Sequence, residues 1–364
     1  MTQQNSLTKF FLKNQPKGYI PKHTKNVLDF SCLVNVLGFS PKVKKAIDEI
    51  DFSLINQYGD RSSTDLKKKI SRWLSVPIDN ISLGNGSDEL IDLIPRAFVN
   101  PGDPVISQTP TFFRVIEGSL KMKAKMVLVK AEEGRGFRLD RKFAEKMILA
   151  IKKFQPKLVW LCTPCNPSGE VIAWELIEKI ATVTKGAVIV DEVYQEFFDP
   201  ENKQSAIRLL DKYKNILVLK SFSKAFGLAG IRVGFIVGDK KIIDIFEKTR
   251  LNFNISVLSQ KIAESALDDL VFLKECSNFF RQERTWLFYE IKKLENVIIG
   301  ADSKINVFIL KHKTKDLFQE LLRRGILTAD FRKANGLEGR GYVRITIKTR
   351  KENEKLLEAL KEID

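Results

Sequence analysis

A lysine, two hydroxyls and an arginine crowd into Ser221-Phe222-Ser223-Lys224-Ala225-Phe226-Gly227-Leu228-Ala229-Gly230-Ile231-Arg232-Val233-Gly234, which follows the apolar run Asn215-Ile216-Leu217-Val218-Leu219. Glycines let such a loop turn tightly, and hydroxyls with a guanidinium suit a phosphate. A lysine amine is ordinarily protonated and inert, but near other cations or as an imine it becomes a nucleophile and a base. Together these residue types fit a phosphorylated cofactor held beside a reactive amine, which points to pyridoxal phosphate.

Two other segments support that chemistry. In Leu83-Gly84-Asn85-Gly86-Ser87-Asp88-Glu89-Leu90-Ile91, two glycines precede a helix start, so free backbone N–H groups at Ser87 and Asp88 are expected to face an anion. In Ala187-Val188-Ile189-Val190-Asp191-Glu192-Val193-Tyr194, a carboxylate ends a buried strand, where α/β sheets bind ligands. An aspartate beside a pyridine nitrogen keeps it protonated and makes the ring an electron sink.

The elements that must position these groups alternate short apolar runs with amphipathic stretches, as in βαβ units and a mostly parallel sheet. Strands are expected at 80–83, 104–107, 125–130, 157–161, 187–190, 215–219 and 233–237, with helices at 63–74, 88–98, 141–154 and 173–184. The tail reads as one long helix over 257–294, then strands at 305–310 and 342–347 and helices at 315–324 and 351–363. This is an α/β chain. A large domain over 44–250 is expected to be followed by a smaller α+β domain over 251–364, which residues 1–43 join as an arm.

Composition excludes several other classes. The 364 residues hold two histidines, His23 and His312, too few for a His-based triad or a His-rich metal site. Cys162-Thr163-Pro164-Cys165 matches CxxC, but nothing nearby completes four zinc ligands, and four scattered cysteines make no disulfide framework. No metal is expected. The net charge of +16 raises nucleic-acid binding, yet the lysines are dispersed over helical faces, as at Lys67-Lys68-Lys69, where charge is ordinarily a solvated surface. A cofactor-sensing DNA-binding regulator would need an added domain, and few residues precede Asp29. No apolar run nears the roughly 18 residues of a membrane span, and Met1 to Ser6 lack the order of a signal peptide. A cytoplasmic enzyme is the expectation, with neither nucleic acid nor membrane as partner.

In order and spacing, Asp29-Phe30-Ser31 through Leu37-Gly38, Gln57-Tyr58-Gly59-Asp60, Gly84 to Glu89, Pro110-Thr111-Phe112, Thr163 to Gly169, Asp191 to Tyr194, Ser221 to Lys224, Gly230 to Gly234 and Val343-Arg344-Ile345-Thr346 span nearly the whole chain. With them the chain resembles the fold-type I pyridoxal-phosphate enzymes of the class I/II aminotransferase group, most of all the histidinol-phosphate aminotransferase branch. The resemblance implies that Lys224 forms an aldimine with the cofactor and moves the substrate proton. Ser221, Ser223 and Arg232, with Gly86, Ser87 and Asp88, would hold the phosphate. Asp191 would pair with the pyridine nitrogen, Asn166 and Tyr194 with the ring oxygen, and Phe112 would stack on the ring where tyrosine is usual. Tyr58 would reach the phosphate of a neighbouring subunit, implying a homodimer with shared sites. Arg344 would bind the substrate's carboxylate or phosphate, and Asn35 would remain from the family's N-terminal substrate motif. The donor would be an amino acid or amino phosphate ester, and the acceptor a 2-oxo acid, 2-oxoglutarate being expected.

Departures concern the substrate side. Ala329 stands where the histidinol-phosphate enzymes carry a phosphate-binding arginine, leaving Arg332 or Arg340 as replacements. Leu33 and Val36 replace a polar and a proline position beside Asn35, and Lys348 replaces a glycine. The tail around Lys348 is also similar to threonine-phosphate decarboxylase, the alternative activity.

Overall fold

The computed structural model describes residues 27–364 together with Phe10, Lys13 and Asn14; the expectations for Met1 to Ser6 and His23 lie outside the described residues. Strand β1 is Leu28–Asp29, and the central sheet comprises β2 (Ile81–Asn85), β3 (Pro104–Thr109), β4 (Lys125–Lys130), β5 (Leu158–Cys162), β6 (Ala187–Asp191), β7 (Ile216–Ser221) and β8 (Val233–Gly238). Its order is β2-β8-β7-β6-β5-β3-β4, with β8 antiparallel to both neighbours and every other pair parallel. Every residue of β5, β6, β7 and β8 is buried. That is why these strands read as continuous apolar runs: helices cover both faces of a parallel sheet. Each buried Val, Leu or Ile side chain contributes about 1.5–3 kcal/mol, so the strand interiors are apolar and chemistry is left to their ends.

Helices Gly86–Phe98, Arg141–Phe154 and Trp174–Val183 follow β2, β4 and β5. Beyond the sheet, the long helix expected over 257–294 is two helices, Val257–Ala266 and Leu270–Ile291. Asp268 and Asp269 lie between them; aspartate competes with the helical backbone for hydrogen bonds, and Lys69 Nζ holds the Asp268 carboxylate at 2.6 Å.

The tail then forms β9 (Val297–Ile299), β10 (Val307–His312), β11 (Ile326–Leu327), β12 (Ala329–Asp330) and β13 (Val343–Thr346). An antiparallel sheet runs β12-β13-β10-β9, and β1 pairs with β11 in a separate two-stranded ribbon. Through the ribbon and the residue after it, residues 28–30 are tied to the C-terminal segment: Phe30 N donates to Leu327 O at 2.7 Å, and Thr346 N to Phe30 O at 2.9 Å.

Candidate active site

A cavity of about 220 Å³ opens where β5, β6 and β7 end and the helix Gly86–Phe98 begins. Its lining brings together Ser87, Asp88, Phe112, Asn166, Asp191, Tyr194, Ser223, Lys224, Arg232 and Arg344, drawn from six separate parts of the chain. Leu33, Ile91, Cys162, Pro164 and Val193 complete the wall.

The anion end is built by backbone. The Asn85 side chain donates to Asn254 O at 3.1 Å, and no side chain caps the helix beginning at Gly86. The Gly86 amide donates to Arg232 O at 2.8 Å, which leaves the Ser87 and Asp88 N–H groups of the first turn for an anion, reinforced by the helix dipole. Gly86 has φ +69°, and a Cβ there would come within 2.4 Å of Arg232 Nη2. Only glycine lets the guanidinium lie on this turn. Arg232 is itself left-handed at φ 55° and bonds Asp88 Oδ2 through Nη2 at 3.1 Å.

Lys224 Nζ is 5.4 Å from the centre of the Tyr194 ring and donates to Leu33 O at 3.3 Å. Burial, then the positive charge of Arg344, pulls its pKa down to about 8. A substantial fraction of the amine is thereby neutral near physiological pH. Asp191 accepts from the Val193 amide at 3.2 Å, and Cys162 Sγ lies 3.8 Å from Oδ2. Burial raises the Asp191 carboxyl to about 6 and pushes the Tyr194 phenol well up. Arg344 is aimed by two acceptors: Nη1 donates to Asn166 Oδ1 at 2.9 Å and Nη2 to Ser31 O at 2.6 Å.

A family model described as aminotransferase class I and II matches residues 26–360. The chain belongs to this family. It is 40% identical over 324 residues, 88% of this chain and 89% of the relative, to a histidinol-phosphate aminotransferase of Thermoanaerobacter pseudethanolicus. Among solved structures, the histidinol-phosphate aminotransferase of Clostridium acetobutylicum superposes with a TM-score of 0.84 at 25% identity, covering 93% of this chain and 99% of that one. The Sinorhizobium meliloti enzyme in complex with pyridoxal-5′-phosphate gives 0.84 at 22% identity over 100% and 99%.

The protein is thus a pyridoxal-phosphate-dependent aminotransferase of the histidinol-phosphate aminotransferase-like kind, on a fold-type I scaffold. The cavity fits that cofactor: an uncapped helix start with Arg232 at one end, the buried Asp191 carboxylate on one wall and Lys224 on another. When bound, pyridoxal 5′-phosphate supplies an electron sink that makes a substrate Cα proton removable.

Several expected site residues lie elsewhere. Gly86 and Ser221 stand behind the lining; Ser221 Oγ accepts from the Ser223 amide at 3.1 Å and so shapes the loop. Asn35 is buried but donates to Ala225 O at 2.8 Å and contacts Cys276 Sγ at 3.1 Å, bracing the segment after Lys224. Tyr58 is 83% exposed, its ring 4.7 Å from Phe253. Arg332, one of the two replacements expected for the arginine missing at Ala329, is not among the residues lining the cavity. Asp330 holds its Nε at 2.9 Å and Nη2 at 2.8 Å, and Asp316 holds Nη1. Arg340 is taken by Glu133. We therefore expect Arg332→Ala to change donor kcat/KM by less than about threefold, as for an ion pair away from the reacting groups; a tenfold loss in steady-state assays would place it in the site after all.

Two contributors went unread in the sequence, the Ser31 carbonyl that aims Arg344 and Cys162 beside Asp191. Cys162 pairs with Asp191 in the β5–β6 register, a long-range fact that CxxC spacing does not encode. Both Cys162 and Cys165 are buried, and burial pushes their thiols up, Cys165 to about 11. Among the described residues, no group of three or more His, Cys, Asp or Glu is placed to hold a metal.

The raised Asp191 carboxyl carries a stability signature. Between an ordinary value of 3.8 and about 6 the unfolded chain has released a proton that the folded chain still holds. Relative stability is thus full below pH 4 and lost as pH rises through 6, a gap of about 2 pH units being worth ~3 kcal/mol. Asp191→Asn is expected to raise the Tm of the cofactor-free protein at pH 8, with the gain vanishing below about pH 4. A Tm difference independent of pH would contradict this origin.

Proposed function

We propose that the chain transfers an amino group from an α-amino acid or amino phosphate ester to a 2-oxo acid, with Lys224 as the base that takes and returns the Cα proton. The observation carrying this reading is the half-buried Lys224 amine, lowered to about 8, in one cavity with Asp191 and Arg344. Ser87, Asp88, Ser223 and Arg232 bind the cofactor phosphate; Asp191 faces the pyridine nitrogen; Asn166 and Tyr194 bind the ring oxygen; and Phe112 lies against the ring. Arg344 anchors the donor's carboxylate or phosphate in a forked pair and so orients Cα toward Lys224.

The name of the relatives points to histidinol phosphate as one donor, and 2-oxoglutarate is the acceptor in this proposal. Mass analysis after incubation with both is expected to find glutamate and no carbon dioxide. Carbon dioxide released from threonine phosphate without glutamate would replace this reading with decarboxylation.

The working form in this proposal is a cytoplasmic homodimer in which Tyr58 serves the partner's site. Exposed Phe52, Ile55, Tyr58, Leu251 and Phe253 support it, since clustered apolar surface favours association. The four cysteines are free thiols, in keeping with a reducing compartment. Light scattering that returns a monomer at micromolar concentration would remove the shared-site model. The division into 44–250 and 251–364 is supported by the placing of the central sheet within 81–238 and the antiparallel sheet within 297–346.

A further inference from the structure

Outside the cavity lining, a second set of charges grips the same two strand ends. Lys220 is 1% exposed, and its Nζ lies 2.8 Å from Glu196 Oε1, 3.2 Å from Glu192 Oε2 and 2.7 Å from Asn202 Oδ1. The two glutamates are also 1% exposed. Ser205 Oγ and the Ala206 amide each donate to Glu192 at 2.6 Å, whereas Glu196 Oε2 is buried with no partner. Desolvating such charges costs several kcal/mol per ion, and an apolar cluster of similar volume is often at least as stable. Stability alone does not account for a lysine and two glutamates here.

Their place in the chain does. Glu192 follows Asp191, and Glu196 lies two residues after Tyr194; Lys220 precedes the Ser221 to Lys224 segment. Successive strand residues point to opposite faces, so Glu192 turns away from the cavity that Asp191 enters. The Glu192 amide extends the β6–β7 ladder to Leu219 O at 2.9 Å. The ion pairs thus tie the turn bearing Asp191 and Tyr194 to the loop bearing Ser223 and Lys224.

We propose that Lys220, Glu192 and Glu196 are positioning residues that set the placement of Asp191 and Tyr194 relative to Lys224. This rests on the reading of Lys224 as the cofactor lysine. The test compares cofactor-loaded wild type with Lys220→Met, Lys220→Arg and the milder Asn202→Gly, which removes one acceptor of the ammonium where the backbone already has φ 58°. Visible circular dichroism per unit cofactor absorbance reports how the bound ring is held, and Tm reports folding. Lys220→Met is expected to lower kcat about 10–100-fold with donor KM within about threefold, as misplacement of reacting groups does, and to reduce the dichroism. Lys220→Arg restores most of both, and Asn202→Gly gives a smaller loss in the same direction.

A loaded Lys220→Met protein with wild-type kcat and dichroism overturns the proposal. If that variant does not fold, an Asn202→Gly protein unchanged in both readouts overturns it instead. Wild type whose bound cofactor is not reduced by borohydride onto the peptide containing Lys224 fails the Lys224 reading itself, a separate outcome.

Discussion

Replacing Lys224 with alanine is expected to lower amino transfer by about 10⁴-fold or more, the combined loss of a positioned base and a covalent anchor. Lys224 is the only lysine lining the cavity among the described residues. Burial and the nearby Arg344 hold its amine at about 8, while burial keeps the Tyr194 phenol protonated far above that range. Neither Tyr194 nor Asp191, raised only to about 6, is a matched replacement for moving a carbon-bound proton. Borohydride reduction followed by peptide mass analysis checks the anchor. Wild type should carry the cofactor mass on the peptide containing Lys224, and the variant should carry none. An alanine variant with full turnover would end the assignment.

Arg344→Gln should have the next largest effect, lowering kcat/KM for both donor and acceptor by roughly 10²–10³-fold, or about 3–4 kcal/mol, as when one member of a buried charged pair is removed. Arg344 is 4% exposed, and its guanidinium is bound by Asn166 Oδ1 and Ser31 O and lies 5.2 Å from the Phe331 ring centre. That support orients it before substrate arrives, so the energy of the substrate's anion goes into placing Cα. In the proposed scheme both half-reactions bring an anion to the same point, so amino acid and 2-oxo acid should suffer alike. Steady-state kinetics with each substrate varied would show this. An Arg344→Gln protein unchanged in both would move anion recognition elsewhere.

Much of the scaffold was legible because its signals are local. The strand at 125–130 and the helix at 141–154 fall where apolar periodicity placed them, and the buried β5 to β8 announce themselves as unbroken apolar runs. The helix over 257–294 misled because its apolar pattern continues through Asp268 and Asp269, while the break depends partly on Lys69, nearly two hundred residues away. Lys220 was passed over for the opposite reason. A lysine in a buried strand was visible in Leu217-Val218-Leu219-Lys220-Ser221, but its partners Glu192, Glu196 and Asn202 meet it only through the β6–β7 pairing and the turn beyond.

Residue types and order pointed to a phosphorylated cofactor beside a lysine, and the resemblance of the ordered motifs pointed to the family, since these depend on chemistry placed at strand ends and helix starts. Folding decided which arginines line the cavity. Arg344 enters the cavity because β13 places it opposite Ala329 and within reach of Asn166, whereas Arg332 and Arg340 are held by Asp330, Asp316 and Glu133. A guanidinium takes whichever carboxylate the fold brings to it, and a carboxylate's distance in space is not written in its distance along the chain.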